Sequence, residues 1–143
     1  MSSTKCTDMG ADLLVWNGTH FCARNRKGNF KVGRKTEKSR LRRSLANLAT
    51  HVRNIRHWSL RDQREKLNQV LRGHYAYYGL AGNVRSMLKL HRAVERYWHK
   101  MLSTRSWAAS CTWAVFNQLK ERFPLQRPKI YLSYGRLQTY AVL

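Results

Sequence analysis

The chain has 143 residues, of which 43% are hydrophobic, enough for one domain with a modest core and too many for pervasive disorder. Its 28 lysines and arginines against 7 acids give a net charge of +21, so we expect a polyanion (RNA, DNA or an anionic membrane) as its partner. No apolar run reaches the roughly 18–20 residues that span a bilayer, and the N-terminus lacks an apolar signal segment. We therefore expect a cytoplasmic protein.

Residue types that support catalysis are sparse. Cys6, Cys22 and Cys111 are widely spaced, and no Cys-x-x-Cys pair indicates a zinc site. Asp8 and Asp12 are the only acids close together outside a predicted helix, whereas two-metal nucleotidyl transfer requires clustered carboxylates. Because no phosphate-binding loop is present either, the sequence predicts a binding protein without a cofactor rather than an enzyme.

The N-terminal part of the chain predicts a β-hairpin. Thr19–Ala23 and Phe30–Val32 consist of strand-type residues, and Lys27–Asn29 supplies the turn between them. Ahead of the hairpin, Leu13–Trp16 reads as either a short strand or an apolar anchor. We therefore expect a two-stranded element before the helical region.

Helical periodicity begins at about Lys38. Apolar residues at steps of three and four predict a helix to about Arg56, and they are Leu41, Leu45, Leu48, Val52 and Ile55. Ser59 is expected to cap a second helix that ends at Gly79, with an inner face formed by Leu60, Leu67, Leu71, His74 and Tyr78. Gly73 costs about 1 kcal/mol relative to alanine inside this helix, which indicates close packing of a neighbouring backbone or another need for the space.

A third helix is expected after Asn83, which can act as its N-cap. Its predicted apolar face consists of Val84, Met87, Leu88, His91, Val94, Trp98, Met101 and Leu102. A fourth helix from about Thr112 to Phe123 ends at Pro124 and is expected to point inward with Trp113, Phe116, Leu119 and Phe123. The tail 128–143 reads as extended or irregular. The predicted fold class is mainly α, with a short N-terminal β-hairpin followed by a bundle of about four helices.

The strongest candidate for nucleic-acid binding is the basic segment from Arg24 to Arg43, which contains ten lysines and arginines and one acid, Glu37. Such a cluster gives salt-sensitive, largely sequence-independent contacts to phosphates. The alternative is a solvated basic face, but the charge density exceeds what solubility needs. The candidate contacts are Arg24, Arg26, Lys27, Lys31, Arg34, Lys35, Lys38, Arg42 and Arg43.

A second basic surface follows the third helix, where cations at helical spacing lie nearly opposite the apolar face. Any amphipathic helix exposes charges, but the single sign of this stripe favours binding to a phosphate backbone. Its members are Arg85, Lys89, Arg92, Arg96 and Lys100, and the first four are candidate RNA contacts.

The aromatic run 71–83 is the third candidate. Tyr75 and Tyr77 would either stack on unpaired bases or form the edge of the core with their hydroxyls bonded to a partner. Arg72 points outward beside them and is a further candidate RNA contact. The run thus combines a predicted scaffold with a possible contact surface.

Blocks within Thr19–Ile130 resemble, in order, the C-terminal part of bacterial group II intron reverse transcriptase/maturases. Three blocks resemble the end of the polymerase part, namely Thr19–Cys22, Arg26–Phe30 and Arg34–Thr36. Leu41–Arg43 resembles the start of the thumb. The centre of the maturase region, domain X, is resembled by Leu67–Asn68, Leu71–Gly79 and Gly82–Asn83. Its end is resembled by Trp98, Thr112–Trp113, Phe116–Asn117, Leu119, Arg122–Leu125 and Pro128–Ile130. The Arg-Gly-x-Tyr-x-Tyr-Tyr-Gly block followed by Gly-Asn is the most specific of these.

The resemblance implies a domain organisation and a function. Residues 1–34 would be the hairpin and the remnant of the palm end, 35–58 a thumb-like helix, 59–130 the domain X-like region and 131–143 a tail. Such regions bind group II intron RNA and assist its splicing, and in complete enzymes the thumb also holds an RNA/DNA duplex. The sequence contains no Tyr-x-Asp-Asp palm motif and no zinc endonuclease domain, so we expect no polymerase activity. The alternatives are the thumb component of a split reverse transcriptase with a separately encoded palm, and a fragment that binds nucleic acid nonspecifically.

Overall fold

The hairpin is present and longer than predicted. The computed structural model describes residues 18–24, 27–28, 30–105 and 110–136. Strands β1 (Gly18–Arg24) and β2 (Phe30–Thr36) pair antiparallel, with Gly18 opposite Thr36 and Arg24 opposite Phe30. The turn contains Gly28 at φ 78°, a conformation that glycine adopts without strain. The predicted element at 13–16 lies outside the described residues.

Four long helices follow the hairpin, so the predicted mainly α fold class is confirmed. They are α1 (Lys38–Asn54), α2 (Leu60–Tyr78), α3 (Val84–Ser103) and α4 (Trp113–Arg122). Ser59 caps α2 as predicted, because its Oγ accepts from the backbone N–H of Asp62 at 3.2 Å and donates to Oδ2 of Asp62 at 2.6 Å. No helix in the described part of the chain has the length and apolar character needed to cross a membrane.

Hydrogen bonds at both ends show that α1 and α3 run in the same direction. At their N-terminal ends, Thr36 bonds the side chain of Asn83. At their C-terminal ends, the guanidinium of Arg56 donates to the carbonyl of Thr104. The two basic helices are therefore held in one register along the bundle.

Helices α2 and α4 run opposite to α3. The indole N–H of Trp98, late in α3, donates to Oε1 of Gln63, early in α2, at 2.8 Å. Lys120, late in α4, lies 3.2 Å from Glu95, which belongs to the middle of α3. The four helices thus alternate in direction, as expected for an antiparallel bundle with short connections.

The core lies between the helices and follows most of the predicted stripes. Its buried members are Leu48, Val52, Ile55, Leu67, Leu71, Tyr75, Met87, Leu90, Val94, Trp98, Leu102, Phe116 and Leu125. Leu41, Leu45 and Leu60 are only partly buried and pack against it. Two predicted core residues are wrong, because Leu88 is 38% exposed and Trp113 is 51% exposed. Leu90, which was not among the predicted core residues, is fully buried, and Phe116 is fully buried as predicted.

The tail closes the α2–α3 junction rather than remaining irregular throughout. The backbone N–H groups of Tyr131 and Leu132 donate to the carbonyl of Gly79, and Ala81 donates to the carbonyl of Leu132. A Cβ at Gly79 would clash with the carbonyl oxygen of Tyr75 and lie 2.9 Å from the carbonyl oxygen of Lys129 in the tail, so only glycine fits where the tail crosses. Residues 137–143 lie outside the described residues.

Gly73 stands on open surface. A Cβ added there would meet no heavy atom within 4 Å, so no neighbouring backbone in the described structure packs against it. The prediction that a neighbouring backbone packs closely against Gly73 is therefore wrong.

Candidate nucleic-acid interface

The α3 cationic stripe, defined as Arg85, Lys89, Arg92, Arg96 and Lys100, is exposed along its whole length. The buried face of α3 carries Met87, Leu90, Val94 and Trp98 on the opposite side. None of the five cations forms an ion pair with an acid among the residues that the structure describes. Their charges are therefore available to an external anion.

Three of the five acids within the described ranges pair with cations that do not belong to the stripe. Glu37 pairs with Arg40 at 3.5 Å, and Glu65 pairs with Arg61 at 3.6 Å. Glu95 belongs to α3 but turns toward α4, where it meets Lys120 at 3.2 Å. These three acids thus pair with cations outside the stripe, and the stripe itself contains charges of one sign.

The basic segment supplies a second set of exposed cations. Lys27, Lys35, Lys38, Arg42 and Arg43 are exposed, and Arg34 is half-buried. Arg26 lies outside the described residues, and for Arg24 and Lys31 the structure describes the backbone in β1 and β2 but not the side chains.

Asn83 joins the hairpin to the start of α3. Its Oδ1 accepts from the backbone N–H of Thr36 at 2.9 Å and from the Thr36 hydroxyl at 3.0 Å. Its Nδ2 donates to the same hydroxyl at 2.7 Å and to the carbonyl of Tyr78 at 2.9 Å. The prediction that the Asn83 side chain caps α3 is wrong, because its amide is used in these bonds. Only the backbone carbonyl of Asn83 accepts from the first turn of α3, from the N–H groups of Ser86 and Met87.

This clamp brings cations from two distant segments to one end of the bundle. Arg34, Lys35 and Lys38 flank Thr36, while Arg85 follows Asn83 by two residues. Thr36 and Asn83 are 3% and 1% exposed, so the connection is buried and its polar atoms are paired with each other. The hairpin and α3 therefore present their charges as parts of one rigid body.

The aromatic run divides into a core residue and a surface residue. Tyr75 is 1% exposed, so it cannot stack on a base, and its placement among the RNA contacts is wrong. Tyr77 is 49% exposed and meets the edge of the Tyr78 ring at 4.7 Å. Tyr78 in turn packs on His74 at 4.4 Å. Of the two tyrosines predicted as contacts in this run, Tyr77 is therefore the one left as a candidate for base contact.

Buried polar groups beside this run are neutral scaffold. Burial lowers the pKa of His74 to about 4, so this side chain carries no charge for a phosphate at neutral pH. The hydroxyl of Tyr75 lies 3.1 Å from Nδ1 of His91, and burial raises the pKa of Tyr75 and lowers that of His91. Both groups are therefore neutral near pH 7, which suits a structural hydrogen bond rather than acid–base catalysis.

Arg72 is exposed as predicted, but its surroundings are mixed in charge. It lines a shallow depression on α2 together with Trp58, Asp62, Arg64, Glu65, Lys66 and Gln69. The two acids there weaken the attraction for phosphate relative to the α3 cationic stripe. Arg72 is consequently a weaker candidate than the stripe.

Comparisons with protein-family models, with curated proteins and with solved structures find no match to this chain. The resemblance to the maturase region of group II intron proteins therefore stays a prediction from the residues quoted above. No group of three or more His, Cys, Asp or Glu side chains within the described ranges could hold a metal ion.

Proposed function

We propose that this protein binds group II intron RNA through its hairpin end and the α3 cationic stripe, and that it assists splicing without polymerising DNA. The observation that carries the proposal is a stripe of five exposed cations with no acid partner among the described residues. The resemblance of residues 35–58 to a thumb and of 59–130 to domain X supplies the choice of RNA.

The protein's contribution to splicing would be electrostatic. Each phosphate that a lysine or arginine contacts releases condensed counterions, so the affinity falls steeply as salt rises. Cations held on a rigid bundle offset the repulsion between RNA segments that the folded intron brings together. Because phosphate contacts do not read sequence, recognition of the intron would depend mainly on the shape of its backbone.

Charge-matched variants test the role of the stripe. Replacing Arg92 and Arg96 with glutamine should lower the slope of log K against log salt by about 1–2, since each phosphate contact contributes about 0.7–0.9. Replacing Arg61 and Arg64 with glutamine removes the same charge from α2, where both arginines already pair with Glu65. An equal change of slope in both variants would contradict a defined interface.

Binding and splicing must also be measured with the intron RNA of the same locus and with an unrelated structured RNA at matched salt. We expect tighter binding to the intron and faster splicing in the presence of the protein. Equal affinity for both RNAs, with no effect on splicing, would leave only nonspecific binding to nucleic acid.

The second candidate function is the thumb of a split reverse transcriptase that holds an RNA/DNA duplex. The observation that favours it is the hairpin itself: within the described ranges β1 pairs only with β2, so its outer edge offers backbone groups to a further strand. A separately encoded palm could pair there. Stable co-purification with such a palm and restored primer extension would support this function, whereas no association at micromolar concentrations would reject it.

A further inference from the structure

Trp113, the first residue of α4, carries an aromatic ring that is half open to solvent. Its indole lies nearly parallel to the imidazole of His99 on α3, with 3.9 Å between ring centroids and 13° between ring planes. The side chain is 51% exposed in spite of this contact. His99 therefore covers one face of the indole, and half of the residue surface is still open to solvent.

Hydrogen bonds and ring contacts fix the surface on which this ring lies. Nε2 of His99 donates to the carbonyl of Cys111 at 2.8 Å, and Oγ of Ser103 donates to the same carbonyl at 3.0 Å. The fully buried ring of Phe116 meets Trp113 edge-on at 5.7 Å and His99 at 5.2 Å. An exposed aromatic surface that is already ordered loses little conformational entropy when it binds a ligand.

The charges around this ring favour a nucleic-acid ligand. His99 lies between Arg96, one turn earlier on the same side of α3, and Lys100. Arg92 lies one further turn back, at about 10 Å along the axis from His99. The open indole therefore stands beside the C-terminal half of the α3 cationic stripe, where a bound phosphate backbone would pass.

We propose that Trp113 stacks on an unpaired base of RNA whose phosphates occupy the α3 cationic stripe. This inference rests on the proposed RNA-binding function and adds the class of ligand, a single-stranded segment. An indole face accepts any base, because every base has a flat π surface, so the contact tolerates different sequences. Bases inside a duplex are already stacked on both faces and offer no such surface, so single-stranded RNA would gain a contact that duplex RNA does not make.

The test uses two short single-stranded RNAs of equal length and charge, one of them with abasic nucleotides in its central part. Fluorescence anisotropy gives the affinity of each strand for the wild-type protein and for Trp113→Ala. We expect the substitution to weaken binding of the strand with bases by about five- to a hundredfold, as base–aromatic stacking does elsewhere. Binding of the abasic strand should change less than about twofold, since its phosphates still reach the stripe.

Three further variants separate stacking from loss of apolar surface or of folding. Trp113→Phe retains an aromatic face and should retain most of the affinity, whereas Trp113→Leu covers His99 without such a face and should behave like Trp113→Ala. Val115→Ala is the matched control, because Val115 is also 51% exposed on the first turn of α4. It should leave both affinities unchanged, and circular dichroism should show the wild-type helix content for all four variants.

An equal loss for both strands, or no loss for either, would overturn the inference. So would binding of anionic phospholipid vesicles that depends on Trp113 when binding of the RNA strands does not. The strands are unstructured, so these results are independent of intron recognition. A wild-type protein that prefers its intron RNA while Trp113→Ala binds every strand normally would reject the stacking and leave the proposed function standing.

Discussion

Replacing Asn83 with alanine should destabilise the protein strongly, because the amide forms four hydrogen bonds that join β2, α2 and α3. The substitution leaves the backbone N–H and the hydroxyl of Thr36 without their partners, whereas the carbonyl of Tyr78 keeps the backbone N–H of Leu80. A buried polar group that loses its partner costs about 1–3 kcal/mol, and two such groups give a loss of about 2–6 kcal/mol. That is a large part of the roughly 5–15 kcal/mol that stabilises a typical domain.

Urea unfolding followed by circular dichroism measures this loss as a lower midpoint with an unchanged slope. Asn47→Ala is the matched control, because Asn47 is exposed on α1, and it should change the free energy of unfolding by less than about 0.5 kcal/mol. Thr36→Val removes the hydroxyl that bonds the same amide. The double variant with Asn83→Ala should therefore be less destabilised than the sum of the two single variants, by about 1 kcal/mol.

The clamp also makes a prediction about binding. If Asn83 holds the hairpin cations beside Arg85, its removal should lower the salt slope of RNA binding under conditions where the helices remain folded. Destabilisation below about 1 kcal/mol, or full additivity with Thr36→Val, would refute the reasoning. In that case the hairpin would be held by its chain connection to α1 and not by the buried amide.

Three other perturbations have defined outcomes. Gly73→Ala should raise the free energy of unfolding by about 0.5–1 kcal/mol, since its Cβ would meet open space. Gly79→Ala should lower the free energy of unfolding by about 1–3 kcal/mol, because its Cβ would clash with neighbouring backbone. Urea denaturation of both variants checks the two signs, and destabilisation by Gly73→Ala would refute the expected gain at that position. His74 has a folded pKa of about 4, below its unfolded value of about 6.5, so the stability that it contributes is complete above pH 6.5 and declines as the pH falls toward 4. Its share of the loss between pH 7 and 5 is about 2 kcal/mol, and His74→Phe should reduce the pH dependence by that amount; an unchanged dependence would contradict the assignment. Gln63→Ala removes the partner of the Trp98 indole N–H and of the carbonyls of Arg56 and Trp58, so it should lower the free energy of unfolding by about 2–4 kcal/mol. Gln69→Ala, at an exposed position of the same helix, should change this free energy very little. Thermal or urea unfolding compares the two variants, and similar losses for both would argue against the buried network.

Local rules were sufficient for most of the helical framework. The 3.6-residue period of apolar side chains placed α1 and α2 to within about two residues, which is the ordinary uncertainty of helix ends. Ser59 followed by Asp62 identified the start of α2 because a cap depends only on neighbours in the chain. The outward direction of the α3 cationic stripe also follows from spacing alone.

The aromatic run shows how a correct helix can still be given the wrong inner face. Leu67, Leu71 and Tyr75 recur at steps of four and form the centre of the buried stripe. His74 and Tyr78 lie toward its edge, so they are half-buried. A broad apolar stripe accommodates Tyr75 as well as His74 and Tyr78. The regular step of four from Leu67 through Leu71 was the signal in the sequence that favoured Tyr75 as the buried residue.

Contacts between distant segments could not be predicted from local patterns. Asn83 satisfies every local rule for an N-cap, yet its amide bonds Thr36, which lies 47 residues away. The tail reads as irregular, yet Leu132 pairs with the α2–α3 junction because free backbone groups at the end of α2 need partners. In both cases a buried polar group takes whichever partner the assembled helices bring near.

The sequence by itself thus determined the helices, the surplus of positive charge and the side of α3 on which it lies, because these depend on composition and on the period of one helix. Only the tertiary structure decided that the hairpin cations share a rigid end with α3, that Tyr75 is buried and that Trp113 is open. Those outcomes depend on which surfaces meet when the helices pack. Burial is a property of neighbours, and in this bundle the decisive neighbours are tens of residues apart in the chain.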